Sequence, residues 1–259
     1  MSCATTPFAV VCSVMLGVVA AGAQSPSSNG SFSIAAGVGQ SARSDAAVSP
    51  DRFDGFGPDI ALAYRMRAGH ADVRLEATAA LRSLGAGAAG GAGGPTERTS
   101  QGGLDALVLA ARGQGTPALE LGIDAGVTGA LIDHRLAGSS ASSFGFAAAT
   151  LGPAAAWSRG AGPGTLELTV ATSIVSLVMQ PYEALRDVTP VPPMRTATIA
   201  SLQAIQASLR YDPAARRAGR RGRFSYQYHI AVFHYGSDSP VRELTQALSV
   251  GVAWGSRTR

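Results

Sequence analysis

The stretch that decides the fold is ALELGIDAGVTGAL, residues 118–131. Large apolar side chains, among them Leu121, Ile123 and Val127, take one set of alternate positions, whereas charged, small or hydroxyl residues such as Asp124 take the other. Successive side chains of a β-strand point to opposite faces, so this alternation predicts a strand with one apolar and one polar face. At about 14 residues it is far longer than the roughly five or six residues typical of soluble sheets.

The same period of two recurs along the chain after residue 30. It is clear in DIALAYRMR, RFSYQYHIAVF and RELTQALSVGVAWG, where apolar residues alternate with small or polar ones. No later stretch is apolar over the roughly 18 residues that indicate a transmembrane helix. The pattern predicts about ten strands, at 31–39, 59–67, 71–82, 103–112, 118–131, 143–158, 165–178, 197–211, 223–235 and 243–255.

The connections between the predicted strands alternate in length. Long ones include QSARSDAAVSPDRFDGFGP and QPYEALRDVTPVPPMRT, and short ones include AGH and GAGPG. In a membrane barrel the periplasmic turns are short and the outer loops longer. The sequence therefore predicts an all-β fold, an antiparallel up-and-down transmembrane β-barrel of about ten strands, within a range of roughly eight to twelve.

Aromatic residues fall near the predicted strand ends, where their rings suit the boundary between lipid and water. The alternation of long and short connections assigns one strand end to the periplasm and the other to the outside. Near the periplasmic end lie Phe32, Tyr211, Phe224 and Trp254, and near the outer end lie Phe144 and Tyr235.

The amino terminus has the pattern of an export signal. Residues 7–20 are apolar and uncharged, and Ala21-Gly22-Ala23 follows as a small-x-small cleavage site. The alternative, a membrane anchor, would need roughly 20 apolar residues. Both cysteines, Cys3 and Cys12, precede this site, so the exported chain would have no thiol. The predicted organisation is a signal peptide at 1–23, a short segment at 24–30 and a barrel domain at 31–259.

With this pattern of strands, turns and aromatic residues, the chain resembles the bacterial outer-membrane β-barrels. The resemblance covers about residues 31–255 and rests on the pattern, not on a family motif. It implies a location in the outer membrane, contact with outer-membrane lipid and lipopolysaccharide, and insertion by the barrel-assembly machinery. The alternative architecture is a soluble exported β-sandwich that binds a ligand.

Composition excludes several classes of function. The chain has 259 residues and a net charge of +4, and all 21 basic residues are arginine. Without lysine it has neither a phosphate-loop lysine nor a Schiff-base lysine. Two cysteines cannot form a four-cysteine zinc site. No cofactor, metal site or nucleic-acid partner is predicted, and the oligomeric state is left open.

The polar strand faces would line the lumen of the barrel. An unpaired charge there costs several kcal/mol, and about ten strands leave little more interior than side chains fill. We therefore predict a structural barrel filled by arginine–carboxylate pairs, with a narrow, porin-like conduit for a small charged solute as the alternative. The lumen residues concerned are Arg65, Arg67, Arg74, Glu76, Arg82, Glu120, Asp124 and Glu167.

A second hypothesis is an outer-membrane enzyme acting on lipid or peptide. Its candidate residues are Asp133 and His134, which would begin an outer loop, and His229, which would face inward. A nucleophilic serine needs a base within hydrogen-bond reach. Ser225 shares a strand face with His229, but positions four apart on a strand are separated by about 13 Å.

The turn DPAARRAGRRGR concentrates positive charge at one predicted hairpin. Arginine clusters bind phosphate groups or acidic partners, although a solvated turn that keeps the hairpin soluble is the simpler interpretation. Successive connections alternate between the two ends of the barrel, and this places the turn on the periplasmic side. Its arginines are Arg216, Arg217, Arg220, Arg221 and Arg223.

Overall fold

The structure is a computed structural model. The predicted signal peptide and most of the arginine-rich turn lie outside the residues that it describes. Among the described residues no helix is long and apolar enough to span a membrane. The described residues are 30–45, 49–68, 70–86, 95–111, 118–135, 142–179, 195–213, 223–236 and 241–255.

Twelve strand segments account for nearly all of the described chain. They are β1 (Gly30–Asp45), β2 (Ser49–Ala68), β3 (Ala71–Ala86), β4 (Thr96–Ala111), β5 (Ala118–Arg135), β6 (Ser142–Ala161), β7 (Gly164–Thr172), β8 (Val175–Met179), β9 (Arg195–Thr198), β10 (Leu202–Asp212), β11 (Arg223–Tyr235) and β12 (Val241–Gly255).

These segments close into one antiparallel barrel of ten strands, which confirms the predicted fold class. β7 and β8 follow one another along the same edge of β6, so together they form one interrupted strand. β10 pairs with β7 and β9 pairs with β8, so these two also form one strand. The pairing of β1 with β12 closes the ring. The alternative of a soluble β-sandwich is wrong, because a single closed sheet replaces two packed ones.

The outer face of the barrel carries a belt of exposed apolar side chains. Leu248 and Val38 are 63% and 60% exposed, and Ile123 and Val127 are exposed to a similar degree. The sheets of soluble proteins bury such residues in a core, whereas a barrel in a membrane exposes them to lipid. We call this surface the apolar belt.

The barrel has two distinct ends. Gly30 opens β1 and Gly255 closes β12 at the same end, which we call the terminal end; the opposite end is the far end. At the terminal end Phe32 stacks on Trp254 with ring centroids 6.2 Å apart, and Phe224 is exposed on the outer face. These rings occupy the positions of an interfacial girdle.

The far end of the first hairpin differs from the sequence prediction. Residues 40–58 were expected to form a long loop, but β1 continues to Asp45 and β2 begins at Ser49. In this part of β1 the side chains of Ser41 and Arg43 face inward, and that of Gln40 faces outward. Because both faces carry polar residues, the alternation of apolar and polar residues that indicates a strand is lost.

Two aromatic residues at the far end were predicted to belong to a girdle. Tyr235 instead points inward and is 5% exposed in a cluster with Val241 and Leu202, so that prediction is wrong. The side chain of Phe144 lies outside the described residues. Next to the cluster, Phe146 meets Phe233 edge to face at 5.0 Å inside the lumen.

Candidate functional site

A network of charged side chains crosses the lumen near the terminal end. Arg65 Nη1 on β2 donates to Glu167 Oε2 on β7 at 3.0 Å, and Arg74 Nη1 on β3 donates to Glu167 Oε1 at 2.5 Å. In a ring of ten strands β2 and β7 lie five strands apart, so the Arg65–Glu167 contact spans the full diameter.

Two further carboxylates complete this network. Asp72 accepts Nε–H bonds from both Arg65 and Arg74 at 3.0 Å, and Arg74 Nη2 lies 3.6 Å from a Glu120 oxygen. The Asp72 side chain is only 7% exposed. Carboxylates removed from water must be paired, and the two guanidinium groups supply that pairing. We call Arg65, Asp72, Arg74, Glu120 and Glu167 the terminal-end bridge.

Strand geometry places these five residues at one height. Arg65 lies close to the last residue of β2, whereas Asp72, Glu120 and Glu167 lie close to the first residues of β3, β5 and β7. Adjacent antiparallel strands begin and end at alternate ends of a barrel, so all these positions fall near the terminal end. The period of two then turns their side chains inward.

A second network crosses the lumen near the far end. Arg43 on β1 lies 3.4 Å from Glu243 on β12 and 3.6 Å from Glu97 on β4. The side-chain amide of Gln101, also on β4, donates to Glu243. β12 and β4 are four strands apart in the ring, so this contact also crosses the interior. We call Arg43, Glu97, Gln101 and Glu243 the far-end bridge.

A separate ion pair lies against the barrel wall. Arg82 Nη2 contacts both oxygens of Asp59, at 2.6 and 2.8 Å, and Nη1 donates to the carbonyl of Pro58. The Arg82 side chain is fully buried. A Cβ at Gly39 would collide with both partners, so glycine leaves the space that this pair needs.

The space that remains in the lumen is a cavity of about 590 Å³, which residues of both bridges line. Glu76 and Asp105 line it from directly opposed positions of β3 and β4. Gln206 donates to Asp124 across the interior at 3.0 Å. His229 lines the cavity from β11.

Comparison with solved structures identifies the fold. The outer-membrane protease OmpT from Escherichia coli matches with a TM-score of 0.56 and 9% sequence identity, over 89% of this chain and 97% of that chain. The chain has the fold of the bacterial outer-membrane β-barrels. No protein-family model and no curated protein sequence matches it.

Two further outer-membrane barrels match less well. The translocator domain of the autotransporter NalP from Neisseria meningitidis has a TM-score of 0.44 at 9% identity, over 96% of this chain and 99% of that chain. The β domain of the Bordetella autotransporter BrkA has a TM-score of 0.42 at 10% identity, over 87% and 99%.

The predicted lumen charges fall into three groups in this outer-membrane fold. Arg65, Arg74, Glu120 and Glu167 meet in the terminal-end bridge. Arg82 pairs with Asp59 and Asp124 with Gln206, so neither joins that bridge. Glu76 and Arg67 make no hydrogen bond or ion pair with a residue that the structure describes; Glu76 lines the cavity and Arg67 is exposed.

Several partners of these charges were missed from the sequence. Asp59 lies an even number of residues from Arg65 on β2, and Asp72 lies two residues from Arg74 on β3. Strand alternation alone would therefore have predicted that both aspartates face the lumen. Arg43 and Glu97 lie in segments that were predicted to be loops, so no alternation indicated which way their side chains point.

The candidate catalytic residues do not form a catalytic set among the described residues. Asp133 and His134 were expected in an outer loop, but β5 continues to Arg135, so that prediction is wrong. Asp133 lies opposite Arg98 in the register, and the side chain of His134 is outside the described part. His229 makes no hydrogen bond to a described serine, and its neighbours in the register are Ser208 and Ala247.

The remaining sequence predictions concern metals and the arginine-rich turn. In the part of the chain that the structure describes, no group of three or more histidine, cysteine or carboxylate side chains could hold a metal ion. Arg216, Arg217, Arg220 and Arg221 lie outside that part. Arg223 opens β11 and its Nη2 donates to the carbonyl of Gly255 at 3.3 Å.

Proposed function

We propose that the protein is a non-enzymatic outer-membrane β-barrel with a structural role, whose lumen is closed at rest. The observation that carries this proposal is the contact of Arg65 and Arg74 with Glu167 on the opposite wall. An open porin of roughly sixteen strands leaves an aqueous channel, whereas ten strands enclose a space that these side chains can span.

The apolar belt supports a location in the membrane. The proposed path is export through a cleaved signal peptide and insertion by the barrel-assembly machinery, with outer-membrane lipid and lipopolysaccharide as neighbours. The far end would face outward, because the longest connection, residues 180–194, leaves the barrel there, and three of the four connections at the terminal end have six residues or fewer.

Energetics favour persistent closure. Removing one partner of a buried ion pair costs about 3–5 kcal/mol, because the other charge is left without compensation, and the Arg74–Glu167 pair, with both side chains 15% exposed, approaches this case. The Arg65 side chain is 41% exposed, so its pairs contribute less. A solute passing the terminal-end bridge would have to separate Glu167 from both guanidinium groups at once. Thermal opening of the bridge is therefore rare on this account.

One observation favours a second candidate function, a narrow conduit for small cations. The cavity of about 590 Å³ carries Glu76, Asp105 and Asp124, which would attract positive charge. Such a conduit would require the two bridges to open.

Fractionation and liposome swelling test the proposal. The full chain should appear in the outer-membrane fraction, with the heat-modifiable gel migration of a folded barrel. Liposomes that contain it should swell in a small neutral sugar no faster than protein-free liposomes, whereas an open porin should give rapid swelling. Recovery as a soluble periplasmic protein, or swelling at the rate of the porin, would refute the proposal.

The enzyme hypothesis is tested separately with the same purified protein. Phospholipid and lipid A deacylation should stay at the background rate. Activity above background that disappears in His229→Ala or His134→Ala would replace the structural role with a catalytic one.

A further inference from the structure

A row of basic side chains lies on the outer face at the far end. In the register, His234 on β11 is opposite Arg242 on β12, and Arg242 is opposite Ser44 on β1, which in turn is opposite Arg52 on β2. Both arginines are exposed. We call His234, Arg242 and Arg52 the basic row.

The basic row marks the edge of the apolar belt. The next outward-facing row toward the terminal end contains Val232, Leu244 and Ala42, paired in the same order. Val232 is 43% exposed, and neighbouring Ile205 is 48% exposed. On β11 and β12 the surface therefore changes from apolar to basic within one step of two residues, whereas on β1 and β2 the outward-facing Gln40 and Asp54 lie next to the row.

The basic row differs from the arginines of the lumen in its contacts with the described residues. Arg65, Arg74 and Arg82 are held by carboxylates. Neither Arg52 nor Arg242 makes an ion pair or hydrogen bond with a residue that the structure describes. The exposed carboxylate of Asp54 lies two residues from Arg52 on the same face, so the net positive charge of the row is concentrated at Arg242.

We infer that the basic row binds the phosphate groups of a phosphorylated glycolipid in the membrane leaflet at the far end. This inference rests on the proposed membrane location. Strands are spaced by about 4.8 Å, so Arg242 and Arg52 are separated by about 10 Å across β1. Two arginine side chains that leave backbones at that spacing, at the edge of the apolar belt, can together contact a headgroup that bears more than one phosphate.

The other end of the barrel supports the choice of leaflet. Among the described residues, the one arginine on the outer face near the terminal end is Arg159 on β6. Aromatic rings dominate the outer face there, including Phe224 and Trp254. A lipid with phosphate groups would therefore find its complementary charge at the far end.

Native mass spectrometry of the full chain in neutral detergent tests the inference. The probe is bisphosphorylated lipid A, and the comparison ligands are the same lipid without phosphates and free inorganic phosphate. Wild type should bind the bisphosphorylated lipid at least about tenfold more tightly than the dephosphorylated lipid. Inorganic phosphate should not compete at equal concentration, because it lacks the acyl chains that the apolar belt contacts.

Variants identify the surface. Arg242→Gln should weaken lipid A binding several-fold, and Arg52→Gln with Arg242→Gln should remove most of the preference for phosphate. Arg159→Gln, which removes the same charge at the opposite end, should bind within about twofold of wild type. All variants should keep heat-modifiable migration, which shows that the barrel is folded.

Three results would overturn the inference. They are equal binding of the dephosphorylated lipid by wild type, equal losses in Arg242→Gln and Arg159→Gln, and full competition by inorganic phosphate. Each of these leaves the proposed function intact if the protein fractionates with the outer membrane. Absence from the outer membrane would instead refute the proposed function and this inference together.

Discussion

At the scale of single residues, the Arg82–Asp59 pair is the most sensitive point in the barrel. Arg82 has no exposed side-chain surface and contacts both oxygens of Asp59. Asp59→Asn keeps the shape but removes the negative charge, which leaves a buried guanidinium unpaired. We expect a loss of about 3 kcal/mol in the free energy of unfolding, measured by urea titration in detergent.

Two variants provide the controls for this loss. Asp54→Asn makes the same change on the exposed outer face of β2 and should alter stability by less than about 0.5 kcal/mol. Arg82→Met combined with Asp59→Asn should be more stable than Asp59→Asn alone, because no charge remains unpaired. Equal effects of Asp59→Asn and Asp54→Asn would contradict this account of the pair.

The sequence predicts which lumen charges face inward better than it predicts their partners. The face on which a strand residue lies depends only on its neighbours along the strand, so the alternation predicts that Glu120 and Glu167 face inward. The meeting of Glu167 with Arg65 depends on ring closure and register, which join residues about 100 positions apart and leave no local pattern.

At the scale of the strand, the alternation in β5 separates a lipid-facing side from a lumen-facing side. Val127 lies near its middle and Leu119 near the terminal end, and both are exposed on the outer face. An arginine at the bilayer midplane costs about 2–4 kcal/mol, but only about 0–1 kcal/mol near the interface.

Arginine variants at two different depths test the proposed membrane position of β5. Val127→Arg should therefore lose about 2–4 kcal/mol and Leu119→Arg at most about 1 kcal/mol in lipid-bilayer unfolding titrations. Equal losses at the two depths would show that no bilayer midplane lies at Val127.

Two neighbouring strands are interrupted at one height, whereas unbroken strands were predicted at 165–178 and 197–211. Residues 173–174 separate β7 from β8, and residues 199–201 separate β9 from β10. The alternation shifts by one position at the first gap, because Ile174 and Val175 are consecutive and both exposed on the outer face. Backbone bonds bridge the gap, including Ile199 N–H to the Ile174 carbonyl at 3.0 Å. Two consecutive apolar residues in an alternating strand are the signal in the sequence that could have indicated this interruption.

Ser173 stabilises this interruption. Its Oγ accepts the backbone N–H of Ala204 at 3.2 Å. Ser173→Ala removes that acceptor, and the lost hydrogen bond is worth roughly 1 kcal/mol. The Ala204 amide should therefore exchange with deuterium about fivefold faster. Ser208→Ala, on the adjacent part of β10, should leave Ala204 unchanged. Unaltered exchange in Ser173→Ala would show that the serine is not needed there.

At the scale of the whole molecule, closure of the sheet and closure of the lumen are separate properties. The number of strands follows from periodicity and turn lengths, which the sequence displays. The proposed closure of the lumen rests on two bridges, and the far-end bridge involves segments without apolar alternation, such as the end of β1 around Arg43. The sequence therefore predicted the barrel and one set of interior charges, but not two bridges in series.

Single-channel conductance in planar bilayers tests the closed lumen most directly. Each bridge is removed with both signs of charge together, so that the number of unpaired charges stays low. The terminal-end variant carries Arg65→Ser, Asp72→Ser, Arg74→Ser and Glu167→Ser, and the far-end variant carries Arg43→Ser and Glu243→Ser.

Because the bridges lie in series, wild type and each single-bridge variant should show no discrete conductance, and the combined variant should show discrete openings. All four proteins must migrate as folded barrels. Discrete openings in wild type, or none in the combined variant, would contradict the claim that the two bridges close the lumen.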